Sequence, residues 1–326
     1  LYGHSFHYEM ENLCRLFFHR QKIEVFEDCR EFDGPDAALT LVEREGETLH
    51  LLVKTAVGAY RGEGRDTVSV ETPPQEVERR LAVLLFRQLT EACGICPRWG
   101  ILTGVRPVKF FRSLVEKHGE DEAVRIFRED YLVTEEKLEL SRVTMRNEGA
   151  LLARSQPDSC SLYVSIPFCP TRCAYCSFVS STVEKTVKLI PDYVELLCRE
   201  LEKTAEVVRD CGLRVESVYF GGGTPTAISA EQLALLLDTV NTQFDLSHSR
   251  EFTVEAGRPD TVTREKLEVL QNSGVTRISI NPQTLSDQVL RRIGRRHTTQ
   301  QTLDAFHLAR ACGMNNINMD LIAGLP

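Results

Sequence analysis

The sequence predicts an α/β fold: a partial (β/α) barrel, truncated after its fifth strand and preceded by a small α+β domain. Three observations carry this. Beyond Gln156-Pro157-Asp158, short apolar runs alternate with amphipathic helical stretches, the pattern of parallel strands joined by crossover helices. Before that point strand-like runs come first and helical ones follow, so residues 1–155 read as a domain separate from 156–326. The chemically distinctive residues also fall at strand carboxyl ends, where such barrels build their sites.

Residues 1 to about 70 read as strands: Lys22 to Cys29 alternates, and Ala38–Glu43 and Thr48–Val53 flank Glu45-Gly46-Glu47 as a hairpin. From Pro73-Pro74 the apolar positions Val77, Leu81, Leu84, Leu85 and Leu89 keep helical spacing to Cys93, and further helical stretches reach Ser155. No motif with a chemical reading lies in this region. His4 and His7 suit a surface or a helix cap, and Cys93-Gly-Ile-Cys96 follows a helix instead of opening one, which suits two ordinary thiols.

In the second region Leu162–Ile166 is the first strand, and Pro191 opens a helix with Val194, Leu197, Cys198, Leu201, Ala205 and Val208 on one face. Val218–Phe220 is the second strand. Ser229 and Gln232 then form a capping box ahead of Leu233, Leu236, Leu237, Val240 and Phe244. Phe252–Glu255 is the third strand, with a helix to Asn272, and Arg277–Ile280 the fourth, with helices to Cys312. Asn316–Ile322 is the fifth. The chain opens on Leu1 and stops at Gly324-Leu325-Pro326, so both ends read as cuts, and the last strand is expected beyond Pro326.

The 326 residues can bury one large core or two moderate ones, and 42% hydrophobic with 26% charged residues is ordinary for a soluble globular protein. A net charge of -8 argues against nucleic acid or an anionic membrane as the main partner. There is no apolar run long enough for a membrane span. Eleven scattered cysteines suit a reducing, cytoplasmic compartment better than a disulfide scaffold.

The chain is organised around Tyr163 to Phe178, where Cys169, Cys173 and Cys176 are crowded into one loop after the first strand. Thiolates are soft ligands that favour iron–sulfur clusters or zinc. Both usually take four protein ligands, yet no fourth cysteine or histidine follows until Cys198. A cubane held by three thiolates would leave one iron open to a small molecule. Three cysteines hedged by prolines and an arginine make a poor core pattern.

Gly221-Gly222-Gly223-Thr224-Pro225 follows the second strand, and glycines let a backbone approach a ligand closely. A phosphate loop would need Gly-Lys-Ser/Thr next, where Thr-Pro stands. Glu255 ends strand three and suits either a helix cap or a ribose acceptor. Gln283 can donate and accept, as a nucleoside contact requires. Arg295 lies in a basic cluster with Arg291, Arg292 and Arg296, which reads as a solvated helix end or as a carboxylate clamp. Asp320 sits in an apolar run, where a charge is costly without a partner.

The cysteine loop resembles the cluster loop of the radical S-adenosylmethionine (SAM) superfamily. The wider set resembles the oxygen-independent coproporphyrinogen III oxidase family, whose members known as dehydrogenases act on coproporphyrinogen: Tyr-Val-x-Ile-Pro-Phe-Cys, Gly-Gly-Gly-Thr-Pro, Glu255, Arg-Ile-Ser with Gln283, Gly-Arg with a nearby His-Thr, and Asp-Leu-Ile-x-Gly-Leu-Pro. The amino-terminal half is similar to the longer branch found in bacilli and clostridia. The resemblance implies that Cys169, Cys173 and Cys176 hold a [4Fe-4S] cluster, and that Tyr163, Gly222, Gly223, Thr224, Glu255, Gln283, Arg295 and Asp320 line the SAM site. It implies reductive cleavage of SAM to a 5′-deoxyadenosyl radical, oxidative decarboxylation of coproporphyrinogen III propionates to vinyl groups in haem biosynthesis, and an electron donor such as flavodoxin or ferredoxin.

Three departures bear on the substrate. Phe178 stands where dehydrogenases of the family usually carry a further cysteine, and phenylalanine there is typical of the branch resembling haem chaperones. Asn281-Pro282-Gln283 replaces Gly-Val-Gln, and Gly257-Arg258-Pro259 follows Glu255 where Asn-Pro or Asp-Pro is usual. A haem-binding carrier without dehydrogenase activity and a tetrapyrrole methyltransferase are the alternative expectations.

Overall fold

The computed structural model describes residues 1–30, 34–104 and 106–326. The chain divides into two compact units, Leu1–Arg154 and Ser155–Pro326. Among the described residues no helix is long and apolar enough to cross a membrane.

The first unit opens with helix α1 (His7–Arg15) and an antiparallel sheet of β1 (Asp36–Glu45), β2 (Thr48–Val57) and β3 (Tyr60–Ser69), in that order. Gly46 turns the first hairpin in the left-handed region (φ 58°), which glycine adopts without strain. Helix α2 (Pro74–Cys93) packs Val77, Leu81, Leu85 and Leu89 against Leu51 and Val53 of the sheet. Helices α3 (Pro107–His118), α4 (Glu120–Arg125), a π-helical turn and α5 (Glu135–Leu152) enclose a smaller core around Phe111, Phe127 and Leu138.

Two expectations fail here. Residues 1–70 are not all strand, because Met10 and Leu13 recur at helical spacing and α1 buries them against α2. Lys22 to Cys29 alternates but forms no strand. A strand needs a ladder partner, and the free edge of β1 is taken by Tyr2, which donates to Thr40 O (3.0 Å) and accepts from Val42 N (3.0 Å).

The second unit is an open sheet of five parallel strands, the partial barrel the alternation predicts. Its strands are β4 (Ser159–Ile166), β7 (Arg214–Gly222), β8 (Glu251–Glu255), β9 (Arg277–Ser279) and β10 (Ile317–Asn318), each beside its successor. Between β4 and β7 come the two-residue strands β5 (Phe168–Cys169) and β6 (Ser181–Thr182), the short helix α6 (Val183–Thr186) and α7 (Ile190–Asp210). The remaining helices are α8 (Ala230–Gln243), α9 (Arg264–Asn272), α10 (Asp287–Arg292) and α11 (Thr299–Ala311). Each strand buries its apolar residues against these helices: Val164, Ile166, Val218, Phe220, Val254 and Ile278 meet Val194, Leu201, Leu233, Leu236, Leu267 and Leu270 in one continuous core. Helix α8 begins in the expected capping box, Ser229 with Gln232.

The fifth strand is far shorter than Asn316–Ile322. The cause is next door. Ile278 N and Ile280 N donate to Asn316 O and Asn318 O, so the ladder calls for residue 282 to donate to Asp320. Pro282 has no N–H, and Gln283 N donates to Asp320 O instead (2.9 Å), with Gln283 forced to φ 65°. One lone bridge, Gln283 with Leu321, then continues the pairing.

Phe220 is fully buried at the centre of this core. Phe220→Ala is expected to lower the unfolding free energy of the second unit by about 3–5 kcal/mol, read from urea unfolding; a loss under about 1 kcal/mol would show the site is not the packed centre described.

Candidate functional site

The site forms at the carboxyl end of the parallel sheet. Ile166 ends β4, Gly222 ends β7 and Glu255 ends β8, while Gln283 and Asp320 lie just past β9 and β10. The cysteine loop is sewn to its neighbours by backbone groups. Gly223 N donates to Ile166 O (2.8 Å), Thr224 N to Phe168 O (2.8 Å), Ser181 N to Pro167 O (2.8 Å) and Ala174 N to Ile293 O (2.9 Å). Thr171 Oγ1 donates to Gly294 O (2.7 Å). A Cβ on Gly223 would stand 2.8 Å from Phe168 O and 2.9 Å from Ile166 O, closer than atoms tolerate. Gly222 adds a left-handed φ of 97°. Only glycine fits this seam.

Cys169, Cys173 and Cys176 are free thiols, half-buried on the loop, as ligands reachable from one side would be. Two of the sulfurs already have polar neighbours. The buried Thr224 hydroxyl donates to Cys169 Sγ at 3.5 Å, and Arg258 Nη1 lies 3.9 Å from Cys173 Sγ. Tyr175 stands between Cys173 and Arg295, its hydroxyl pushed up to about 12 by burial, with Arg295 opposing and Cys173 adding to the shift. Among the described residues no three His, Cys, Asp or Glu side chains converge on the position of a single ion. A cubane spreads its thiolates over separate irons, and three soft thiols on one loop, two of them beside hydrogen-bond donors, are the donor set it takes.

On the other side of the glycines, Tyr163 and Tyr219 pair across the β4–β7 register and stack at 5.8 Å with rings 9° apart. The Tyr219 hydroxyl donates to Glu255 Oε1. Burial raises the Glu255 carboxyl above the usual carboxylate range; the Tyr219 bond opposes this and nearby Asp320 adds to it. The two carboxylates, at the ends of strands on either side of β9, repel, a charge pattern suited to hydroxyl and ammonium donors. Asn318 Nδ2 donates to Asp320 Oδ1 (2.8 Å), and Asp320 N donates to Asn281 Oδ1 (3.2 Å). The buried side chain of Gln283 lies beside them.

The basic cluster does not act as one patch. Arg291 and Arg292 end α10, where cations complement the exposed carbonyls, and with Arg296 they face solvent. Beyond Gly294 (φ 80°) the backbone alternates, sending Arg295 and His297 inward and Arg296 outward. Arg295 is 6% exposed; its Nη1 donates to Asn281 O (2.6 Å) and both Nη atoms lie 3.4 Å from Gly257 O. Its Nε is buried without a partner, a donor left over for a ligand.

The sequence pattern of the Radical SAM superfamily matches residues 163–326, half of the chain and all of the site. The chain belongs to the radical SAM superfamily. Among curated proteins it is 40% identical over 256 residues to the oxygen-independent coproporphyrinogen-III oxidase-like protein HemZ of Bacillus subtilis, covering 77% of this chain and 51% of that protein. It is 38% identical over 166 residues to the heme chaperone HemW of Escherichia coli, covering 51% of this chain and 43% of the relative. The chain thus spans about half the length of the curated relatives it matches. Among solved structures, coproporphyrinogen III oxidase (HemN) from Escherichia coli is 27% identical with a TM-score of 0.47, over 55% of this chain and 41% of that one. Membership of the radical SAM superfamily implies an iron–sulfur cluster and SAM as cofactors.

The structure places beside this site residues to which sequence reasoning gave no role. Tyr219 lies in the second strand, on the same face as Gly221 and next to Tyr163 in register; its alternation with buried Val218 and Phe220 was the available signal. Arg258 was visible only as an oddity between Gly257 and Pro259. It is buried, paired with Asp260, and aimed at the cysteine loop. His297 lies 3.8 Å from Asp260 with both ring nitrogens buried and unpartnered, and burial, reinforced by Arg295, pushes it down to about 4.

Folded Glu255 holds its proton more tightly than the unfolded chain does, so stability falls as pH rises from the ordinary glutamate value through the raised folded one. Glu255→Gln removes that loss. The variant is expected to be more stable than wild type at about pH 8, with the difference closing by about pH 4. Urea midpoints at the two pH values check it, and a pH-independent difference would refute the assignment.

Proposed function

We propose that this chain is the cluster- and SAM-binding part of a radical SAM oxidoreductase of the oxygen-independent coproporphyrinogen III oxidase type, working on tetrapyrrole propionates. One observation carries the reading: the cysteine loop, the glycine seam and the strand-end carboxylates meet at one end of one parallel sheet. Cys169, Cys173 and Cys176 would hold the cluster. Tyr163, Gly222, Gly223, Thr224, Glu255, Gln283, Arg295 and Asp320 would hold SAM. All of them lie within 156–326, which we take as the catalytic domain, with 1–155 as a separate domain.

When bound, the cluster and SAM supply one-electron cleavage of the sulfonium and, from it, an abstractor of hydrogen atoms. The residues bind and orient. Gly222 and Gly223 let backbone amides and carbonyls approach an amino-acid head without a Cβ in the way. Arg295 Nε is free for a carboxylate, and Glu255, fixed by Tyr219, offers an acceptor to sugar hydroxyls. An external donor such as flavodoxin or ferredoxin supplies the electron, and a reducing cytoplasm suits a chain with eleven scattered cysteines.

A second reading, a haem-binding carrier, is favoured by Phe178. Its ring is 65% exposed two residues past the last cysteine, beside exposed Val179, and offers an apolar face where a cysteine is usual among the dehydrogenases.

Anaerobic reconstitution of the full-length protein tests both. Wild type is expected to take up one cubane per chain, release 5′-deoxyadenosine from SAM under dithionite, and convert coproporphyrinogen to a vinyl product. Cys173→Ala is expected to lose cluster and cleavage together. SAM cleavage without vinyl product, joined to stable haem uptake in a spectral titration, would replace the dehydrogenase reading with the carrier.

A further inference from the structure

The segment Gly257-Arg258-Pro259-Asp260 departs from the pattern the rest of the site follows, and the structure shows where the extra charge goes. The Arg258 side chain is 3% exposed. Its Nε and Nη2 pair with Asp260 Oδ1 (3.1 Å) and Oδ2 (3.2 Å), a forked contact that fixes the guanidinium plane. The remaining nitrogen, Nη1, faces the cysteine loop: it lies 3.0 Å from Thr171 Oγ1, 3.3 Å from Thr171 O and 3.9 Å from Cys173 Sγ. Thr171 Oγ1 in turn donates to Gly294 O, and the Arg258 carbonyl accepts from Thr261 Oγ1 (2.7 Å), which is bonded to Thr226 Oγ1 (2.6 Å) behind the glycine run. One buried cation therefore joins the cysteine loop to the loops after β7, β8 and α10. The pair is also a dipole whose positive end stands at the sulfur and whose carboxylate lies on the far side.

We propose that Arg258 is a positioning residue for the cluster: its guanidinium, oriented by Asp260, fixes the Thr171–Cys173 segment and sets the cluster's reduction potential from behind Cys173. This rests on the radical SAM reading of the three cysteines. Reduction adds one negative charge to the cluster and makes or breaks no bond in the protein. A nearby cation and a hydrogen bond to a ligating sulfur favour the reduced form. Removing Arg258 disfavours it, and removing the Asp260 charge favours it.

The test is an EPR-monitored redox titration of the reconstituted full-length protein with dithionite as reductant. Arg258→Met is expected to shift the one-electron equilibrium roughly tenfold toward the oxidised cluster, a potential about 59 mV more negative. Arg258→Lys keeps the charge and is expected to recover most of that shift. Asp260→Asn is expected to move the potential the opposite way. A purely structural role would move all three variants in one direction. In the cluster-free protein, trypsin cleavage after exposed Arg172 is expected to be several-fold faster in Arg258→Met, because the loop has lost its tether.

Unchanged potentials, or shifts of one sign in all variants, overturn the charge assignment. Unchanged cleavage overturns the tether. If Arg258→Met does not fold, Asp260→Asn still decides by the sign of its shift. A wild-type protein that binds no cluster overturns the radical SAM reading itself, an outcome distinct from a loaded cluster whose potential ignores residue 258.

Discussion

The second unit depends on a seam between two backbones. The strand-end glycines and the start of the cysteine loop lie so close that Gly223 N reaches Ile166 O and Thr224 N reaches Phe168 O, both at 2.8 Å. A Cβ at 223 would stand only 2.8 Å from Phe168 O, so one of the two backbones would have to shift. Because these bonds satisfy buried backbone groups, the seam cannot open without leaving donors and acceptors unpaired. The thiols are therefore carried on a loop whose first residues behave as part of the sheet. Thr224, the last residue of the seam, also places its hydroxyl on Cys169.

Around the seam runs a belt of buried polar groups. Thr226 meets Thr261, Thr261 meets the Arg258 carbonyl, Arg258 meets Thr171, and Thr171 meets Gly294. Lys266 Nζ donates to Thr226 O (2.6 Å) and Thr261 O (3.3 Å), at the cost of burial that lowers its pKa. Such networks are costly when half-made and rigid when complete. Loops from three strand–helix junctions and the turn between α10 and α11 are held in one arrangement, with Arg258 facing Cys173 while Glu255 and Asp320 lie on the side of the tyrosine stack.

Local signals were legible. The Ser229–Gln232 capping box, the helix after Pro73-Pro74 and the parallel alternation after Asp158 each need only residues a few positions apart, and each stands in the structure as read. The failures have physical causes too. Two buried apolar positions in α1 are a thin periodic signal, so Met10 and Leu13 were absorbed into a strand reading. The alternation at Lys22 to Cys29 said nothing about whether an edge was free to receive it. Pro282 was noted as a departure, but its effect on the neighbouring strand follows only from the ladder it interrupts.

By itself the sequence determined the kind of chemistry. Three thiols in one loop, a glycine run after the next strand and a carboxylate after the third are statements about residue type and order, and the covalent chain preserves order. Tertiary structure decided which side chains serve that chemistry in common. Arg258 meets Thr171 across 87 positions of sequence, and Tyr219 meets Glu255 across 36. It also divided the basic cluster, burying Arg295 and leaving Arg291, Arg292 and Arg296 in water. Distances of that kind are set by how the strands stack and twist, and no local pattern of residues encodes them.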